Sequence, residues 1–250
     1  MAAGGEAHGP LHQFEIVRLV DLNIGGVDIS FTNSAMWMVI AVVLVTGFMM
    51  LATSRAAIVP GRLQSVAELS YEFIANLIKD TAGTQGLKYF PFIFTIFVFV
   101  LAANMLGMVP YSFTFTSHLA VTATMALVII IAITVLGFVK HGFGFLHVFL
   151  PSGVPMWLAP LLIFIEVLSY LTRPVSLSVR LFANMMAGHT TLKVFAGFVV
   201  ALGLFGVAPL VFVVALTALE VLIAFLQAYI FTILTCIYLN DALHPTTNHP

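Results

Sequence analysis

The chain has 250 residues, of which 61% are hydrophobic and 8% charged, and its formal net charge is -1. A soluble domain carries roughly 25% charged residues, so a water-exposed globular surface is excluded. The balance of charge offers no basic footprint for nucleic acid. With Cys236 as the single cysteine, intrachain disulfides are excluded too.

Residues 1–32 read as a polar N-terminal arm. They lack the basic and apolar regions of a signal peptide and the Arg-rich character of a transit peptide, so the chain is expected to be mature and its first span permanent. Apolar runs follow at about 33–54, 90–110, 118–139, 156–200 and 204–240, each near or beyond the ~20 residues that cross a bilayer as a helix. The expected fold class is therefore all-α, a polytopic transmembrane helical protein and not a barrel of short alternating strands.

Between the first two runs, residues 60–85 place Leu63, Val66, Phe73, Ile74 and Leu77 at three- and four-residue spacing. This predicts an amphipathic helix lying on the membrane or packing against a span. The runs at 90–139 form an expected transmembrane hairpin. Arg55, Arg62, Lys79 and Lys88 lie on one set of loops with Lys140, against Arg18 on the other. The first set is expected to face the cytoplasm, with the N-terminal arm outside and the tail, 241–250, inside.

The last two runs, 156–240, are too long to cross upright. A helix over 204–240 measures about 55 Å at 1.5 Å per residue, against a hydrocarbon core of about 30 Å. The hairpin must be strongly tilted or broken, and Pro160 and Pro174 are candidate kinks in its first arm. An oblique pair needs protein beside it to cover its polar groups, which motivates a curved partner within the bilayer.

Five charged residues fall inside these two runs: Glu166, Arg173, Arg180, Lys193 and Glu220. Each costs about 2.5–3.5 kcal/mol at mid-membrane on insertion scales. Lys193, near the outer end, can snorkel to the headgroups, and so can Arg173 near the inner end. Arg180 lies deeper, between apolar neighbours. Glu166, Arg173 and Arg180 are spaced by seven and share a helical stripe with Asn184 close by, whereas His189 points roughly the other way. On the last run, Glu220, Gln227 and Tyr238 form one polar line, as the wall of an aqueous path requires.

If the hairpin turns near residue 204, residues whose numbers sum to about 409 share a depth. His189 is then level with Glu220 on the outer side, Arg180 with Gln227 and Tyr229 in the middle, and Glu166 with Leu243 on the inner side. Imidazole and carboxylate can relay protons, whereas arginine stays charged. Two pockets divided by a permanent cation need a moving carrier, and an acidic residue on a neighbouring subunit is the natural one.

The runs PVSLSVRLFANMMAGH, from Pro174 to His189, and LQAYIFTILTCIYL, from Leu226 to Leu239, resemble the subunit a family of the membrane sector of F-type ATP synthases. The segment NMLGMVP, from Asn104 to Pro110, is similar as well. The resemblance implies that Arg180 faces the carboxylates of a rotating c-ring, with Asn184 and Gln227 beside it. It implies that Glu166 serves a cytoplasmic half-channel and that His189 and Glu220 serve the outer one. Many bacterial members carry that acid and histidine in the reverse order. Arg173, Ser176 and Tyr238 complete the proton-translocation set.

The implied partners are the c-ring, the subunit b peripheral stalk, membrane lipid and the translocated protons. No cofactor or metal is implied. The implied location is a bacterial inner membrane, with the N-terminus periplasmic and the C-terminus cytoplasmic. A phosphate loop of the GxxxxGK[ST] type is absent from the sequence, so the subunit is expected to be non-catalytic, as are HExxH and GxSxG motifs. The alternative is a proton-coupled secondary transporter, which usually shows repeated halves; none is evident here.

Overall fold

The structure, a computed structural model, describes residues 17–20, 23–24, 27–28, 30–54, 57–109, 113–149 and 158–244. Arg55, Pro110 and residues 1–16 and 245–250 lie outside the described residues. Four short strands come first: β1 (Arg18–Val20), β2 (Asn23–Ile24), β3 (Val27–Asp28) and β4 (Phe31–Thr32). Six helices follow: α1 (Asn33–Thr53), α2 (Arg62–Gly86), α3 (Phe90–Gly107), α4 (Leu119–His141), α5 (Ala159–Ala201) and α6 (Val207–Leu243).

β1 pairs antiparallel with β4, and β2 with β3. The arm is thus partly ordered as strand pairs that the sequence does not announce. With two or three residues each, these strands are too short to display an alternating pattern. Thr32 then caps α1, its hydroxyl accepting the Ala35 N–H at 3.4 Å.

Five helical segments are long and apolar enough to cross a membrane, so the chain is an all-α integral membrane protein. α6 is the hub, packing against α2, α3, α4 and α5. Ile74 of α2, Ile93 of α3, Ile133 of α4, Leu181 of α5, and Phe231 and Leu239 of α6 sit at or below 2% exposure in the main core. A smaller cluster joins Ala41 of α1 to Ala103 of α3 and to Phe113 and Phe115 of the α3–α4 connection.

α2 buries part of its apolar face. Ile74, Ile78 and Ala82 are its core residues, while Leu63 and Val66 remain more than half exposed. Its C-terminal half supplies the packing against α3 and α6.

α5 and α6, at 43 and 37 residues, are unbroken. At 1.5 Å per residue they extend about 65 and 55 Å. Pro160 lies in the first turn of α5, where its missing N–H is not needed, so it starts the helix instead of kinking it. Pro174 is internal and leaves the Tyr170 carbonyl without its helical donor. The arms reverse through a 3₁₀ turn at Gly203–Gly206, where Gly203 adopts a φ of 55°.

Ring contacts fix the pairing of the two arms. Phe195 stacks on Phe212 at 5.8 Å near the turn, and Tyr170 meets Tyr238 edge-on at 5.1 Å near the other end. Both pairs lie close to the depth match expected for a reversal near residue 204.

Candidate functional site

Towards the turn, α5 and α6 approach each other at Gly188. The carboxylate of half-buried Glu220 occupies the space where a Cβ on Gly188 would sit. Only glycine permits that approach. Glu220 Oε1 is buried and has no hydrogen-bond partner among the described residues. His189, the next residue on α5, is half-buried, and its Nε2 lies 3.4 Å from Thr114 Oγ1 in the α3–α4 connection. The imidazole and the carboxylate therefore share a depth, but the ring's hydrogen bond goes to the connection and not to Glu220.

Deeper along α6, Gln227 is 5% exposed and its Oε1 also lacks a partner among the described residues. One turn earlier, the Ala224 carbonyl accepts a 3.2 Å hydrogen bond from Asn104 Nδ2 of α3. Asn104 is fully buried, and its Oδ1 too is without a partner among the described residues. Ala224 and Ala228, both fully buried, are small enough to let α3 approach α6 there. Three buried carbonyl-type oxygens with no protein partner are a costly arrangement in a dry apolar core, and water satisfies such groups at small cost.

Nearer the α6 C-terminus, the Arg173 guanidinium lies 5.8 Å from the centre of the Tyr238 ring, within cation–π range. Tyr238 packs edge-on against Tyr170, whose hydroxyl bonds Thr134 of α4 at 2.8 Å. A small cavity behind Pro174 is lined by Arg173, Leu177, Phe231, Thr235 and Tyr238. Glu166 is half-buried on the preceding turns of α5.

Arg180 differs from the rest. It is exposed on α5, as is Ser176, while Asn184 is half-buried. Leu177, Ser178, Leu181 and Met185 form the buried face of the helix, and Arg180 lies off that face, exposed among the described residues. Its neighbours on that open side include Val175 and Val179, 60% and 44% exposed. The structure thus brings His189 level with Glu220 and Arg173 onto Tyr238, and leaves Arg180 exposed on α5.

A sequence model described as the ATP synthase A chain matches residues 35–240. The chain belongs to the ATP synthase A chain family. It is 59% identical over 244 residues to the ATP synthase subunit a of Mesorhizobium japonicum, covering 95% of this chain and 97% of that one. It is 57% identical to the subunit a of Rhizobium rhizogenes over 246 residues, 96% and 98% of the two chains. The subunit a of Brucella ovis is 54% identical over 246 residues, 96% and 99% of the two chains.

For this member of the ATP synthase A chain family, sequence reasoning missed Thr114, Asn104 and Tyr170 as site residues. Asn104 stands in a quoted motif, and a buried amide in an apolar run was a usable signal. Thr114 lies in a loop of ordinary polarity. Nothing in its own sequence neighbourhood points to His189, which is 75 positions away.

Proposed function

We propose that the chain is the proton-conducting stator subunit of a rotary ATP synthase, non-catalytic itself, with Arg180 set against the carboxylates of a c-ring. The observation that carries this reading is the exposure of Arg180 on an apolar helix whose open side also carries Val175 and Val179. A permanent cation is costly against lipid and calls for an anionic partner. A ring of membrane carboxylates would supply one, and membership of the ATP synthase A chain family supports an ATP synthase complex as the setting.

In this mechanism a proton enters from the periplasmic side through the pocket of His189 and Glu220, with Asn104 and Gln227 on its wall. It neutralises a ring carboxylate, which can then leave Arg180 for lipid. After nearly a full turn it is released to the cytoplasmic side past Glu166, Arg173 and Tyr238. Arg180 holds the deprotonated carboxylate and, being unable to give up its own proton at any working pH, blocks direct passage between the two half-channels. Ser176 and Asn184 flank it on the ring-facing side. One charge crossing 100 mV supplies about 2.3 kcal/mol for rotation.

The hairpin of α5 and α6 lies strongly tilted in a bacterial inner membrane, following the ring's curvature. The N-terminus is periplasmic and the C-terminus cytoplasmic, and a peripheral stalk of subunit b holds the chain against rotation. A Ser176→Cys variant paired with a cysteine beside the ring carboxylate should form a disulfide on mild oxidation, since Cys236 is fully buried. A solubilised complex that yields the chain without a ring, or no cross-link from Ser176→Cys and Asn184→Cys alike, contradicts the reading.

A further inference from the structure

The α3–α4 connection holds the one hydrogen bond that the His189 ring makes among the described residues. A hydroxyl has a single proton to donate and two lone pairs with which to accept. Thr114 Oγ1 donates its proton to the Gly107 carbonyl at 3.1 Å. That commitment is structurally enforced: a Cβ at Gly107 would lie 2.8 Å from Thr114 Cγ2, so the missing side chain is what admits the threonine. Thr114 is 5% exposed, and its own carbonyl is held by the Ser117 N–H at 3.0 Å and the Ser117 hydroxyl at 2.5 Å. The loop cannot easily turn the hydroxyl elsewhere.

With its proton spent on Gly107, Thr114 Oγ1 can only accept from His189 Nε2, 3.4 Å away. We propose that Thr114 is a positioning residue that holds neutral His189 as the Nε2–H tautomer, so that the ring takes up and releases its mobile proton at Nδ1. The tautomer of an imidazole is set by the bond its other nitrogen makes. The charged groups around the ring are Lys193, one turn further along α5, and Glu220, which reaches across from α6 over Gly188. Neither competes for the Thr114 hydroxyl. Relay therefore runs through one face of the ring, while the other face anchors it to the loop.

The conducting role rests on the outer-pocket reading of His189; the tautomer does not, and two measurements separate them. The first is solid-state NMR of the intact complex in lipid with ¹⁵N-labelled histidine, above the pH at which the ring protonates, using His189→Gln to identify the signal. The expected spectrum has a bare Nδ1 and a protonated Nε2, retained in Thr114→Ser and replaced by a tautomer mixture in Thr114→Val. A wild-type ring protonated at Nδ1, or an unchanged tautomer in Thr114→Val, overturns the proposal.

The second is passive proton flux through vesicles stripped of the soluble sector, compared across pH. Thr114→Val should slow it by a few-fold to roughly tenfold, the factor corresponding to one lost hydrogen bond, and alter its pH profile, while Thr114→Ser restores both. If His189→Ala slows flux but Thr114→Val does not, the positioning role is wrong. If His189→Ala itself leaves flux intact, the outer-pocket reading fails, and the NMR spectrum alone decides the tautomer.

Discussion

The Glu220 carboxylate of α6 sits in the space over Gly188 of α5 that any larger residue would fill. This contact places the acid one residue from His189 and sets the register of the two long arms at the outer pocket. It is a packing solution and a chemical one together: the missing Cβ makes room for a group that the apolar surroundings would otherwise push away.

Gly188→Ala should displace Glu220 and impair proton uptake without unfolding the hairpin, since overpacking of this kind costs about 1–3 kcal/mol. The lost flux should be partly recovered in Gly188→Ala/Glu220→Asp, whose shorter acid clears the new methyl. Glu220→Gln and His189→Ala should each slow passive proton flux. Full flux in both would remove the outer pocket from the pathway.

Arg173 and Tyr238 should be energetically coupled. A double-mutant cycle with Arg173→Leu and Tyr238→Leu, read as thermal stability of the assembled complex, is expected to give about 0.5–1 kcal/mol of interaction. Tyr238→Phe keeps the ring and should keep most of that coupling. A cycle that closes at zero would mean that the guanidinium is held by other groups.

On the α3–α6 seam, Asn104→Thr removes the bond to the Ala224 carbonyl with little change in volume. Interhelical hydrogen bonds in membranes average about 0.6 kcal/mol, so the loss should be small. Ala224→Leu drives a bulky side chain into a fully buried position and should cost more, about 1–3 kcal/mol. The temperature at which the complex sheds subunits in mild detergent ranks the two, and the reverse order would contradict the packing described for the seam.

Much of the fold was legible because a bilayer enforces simple rules. Twenty-odd apolar residues have few alternatives to a helix, and hairpin arithmetic put His189 level with Glu220, one residue from the contact that the structure shows between Glu220 and Gly188. Pro160 misled because a proline near a helix start is indistinguishable in sequence from one within it until the first turn is known. At Leu63 and Val66, more than half exposed, periodicity reports an apolar face and not what covers it. The Thr114 contact with His189 was out of reach, since it depends on how a loop folds back on α5. The exposure of Arg180 depends on which face of α5 packs inward, and the seven-residue spacing of Glu166, Arg173 and Arg180 does not give that.

That exposed arginine carries the central claim, and ATP-driven acidification of inverted membrane vesicles tests it most directly. Arg180→Ala should assemble at normal levels and hydrolyse ATP, yet give no proton gradient, because nothing then holds the ring carboxylate or bars leakage between the half-channels. Normal acidification by Arg180→Ala vesicles would contradict the account.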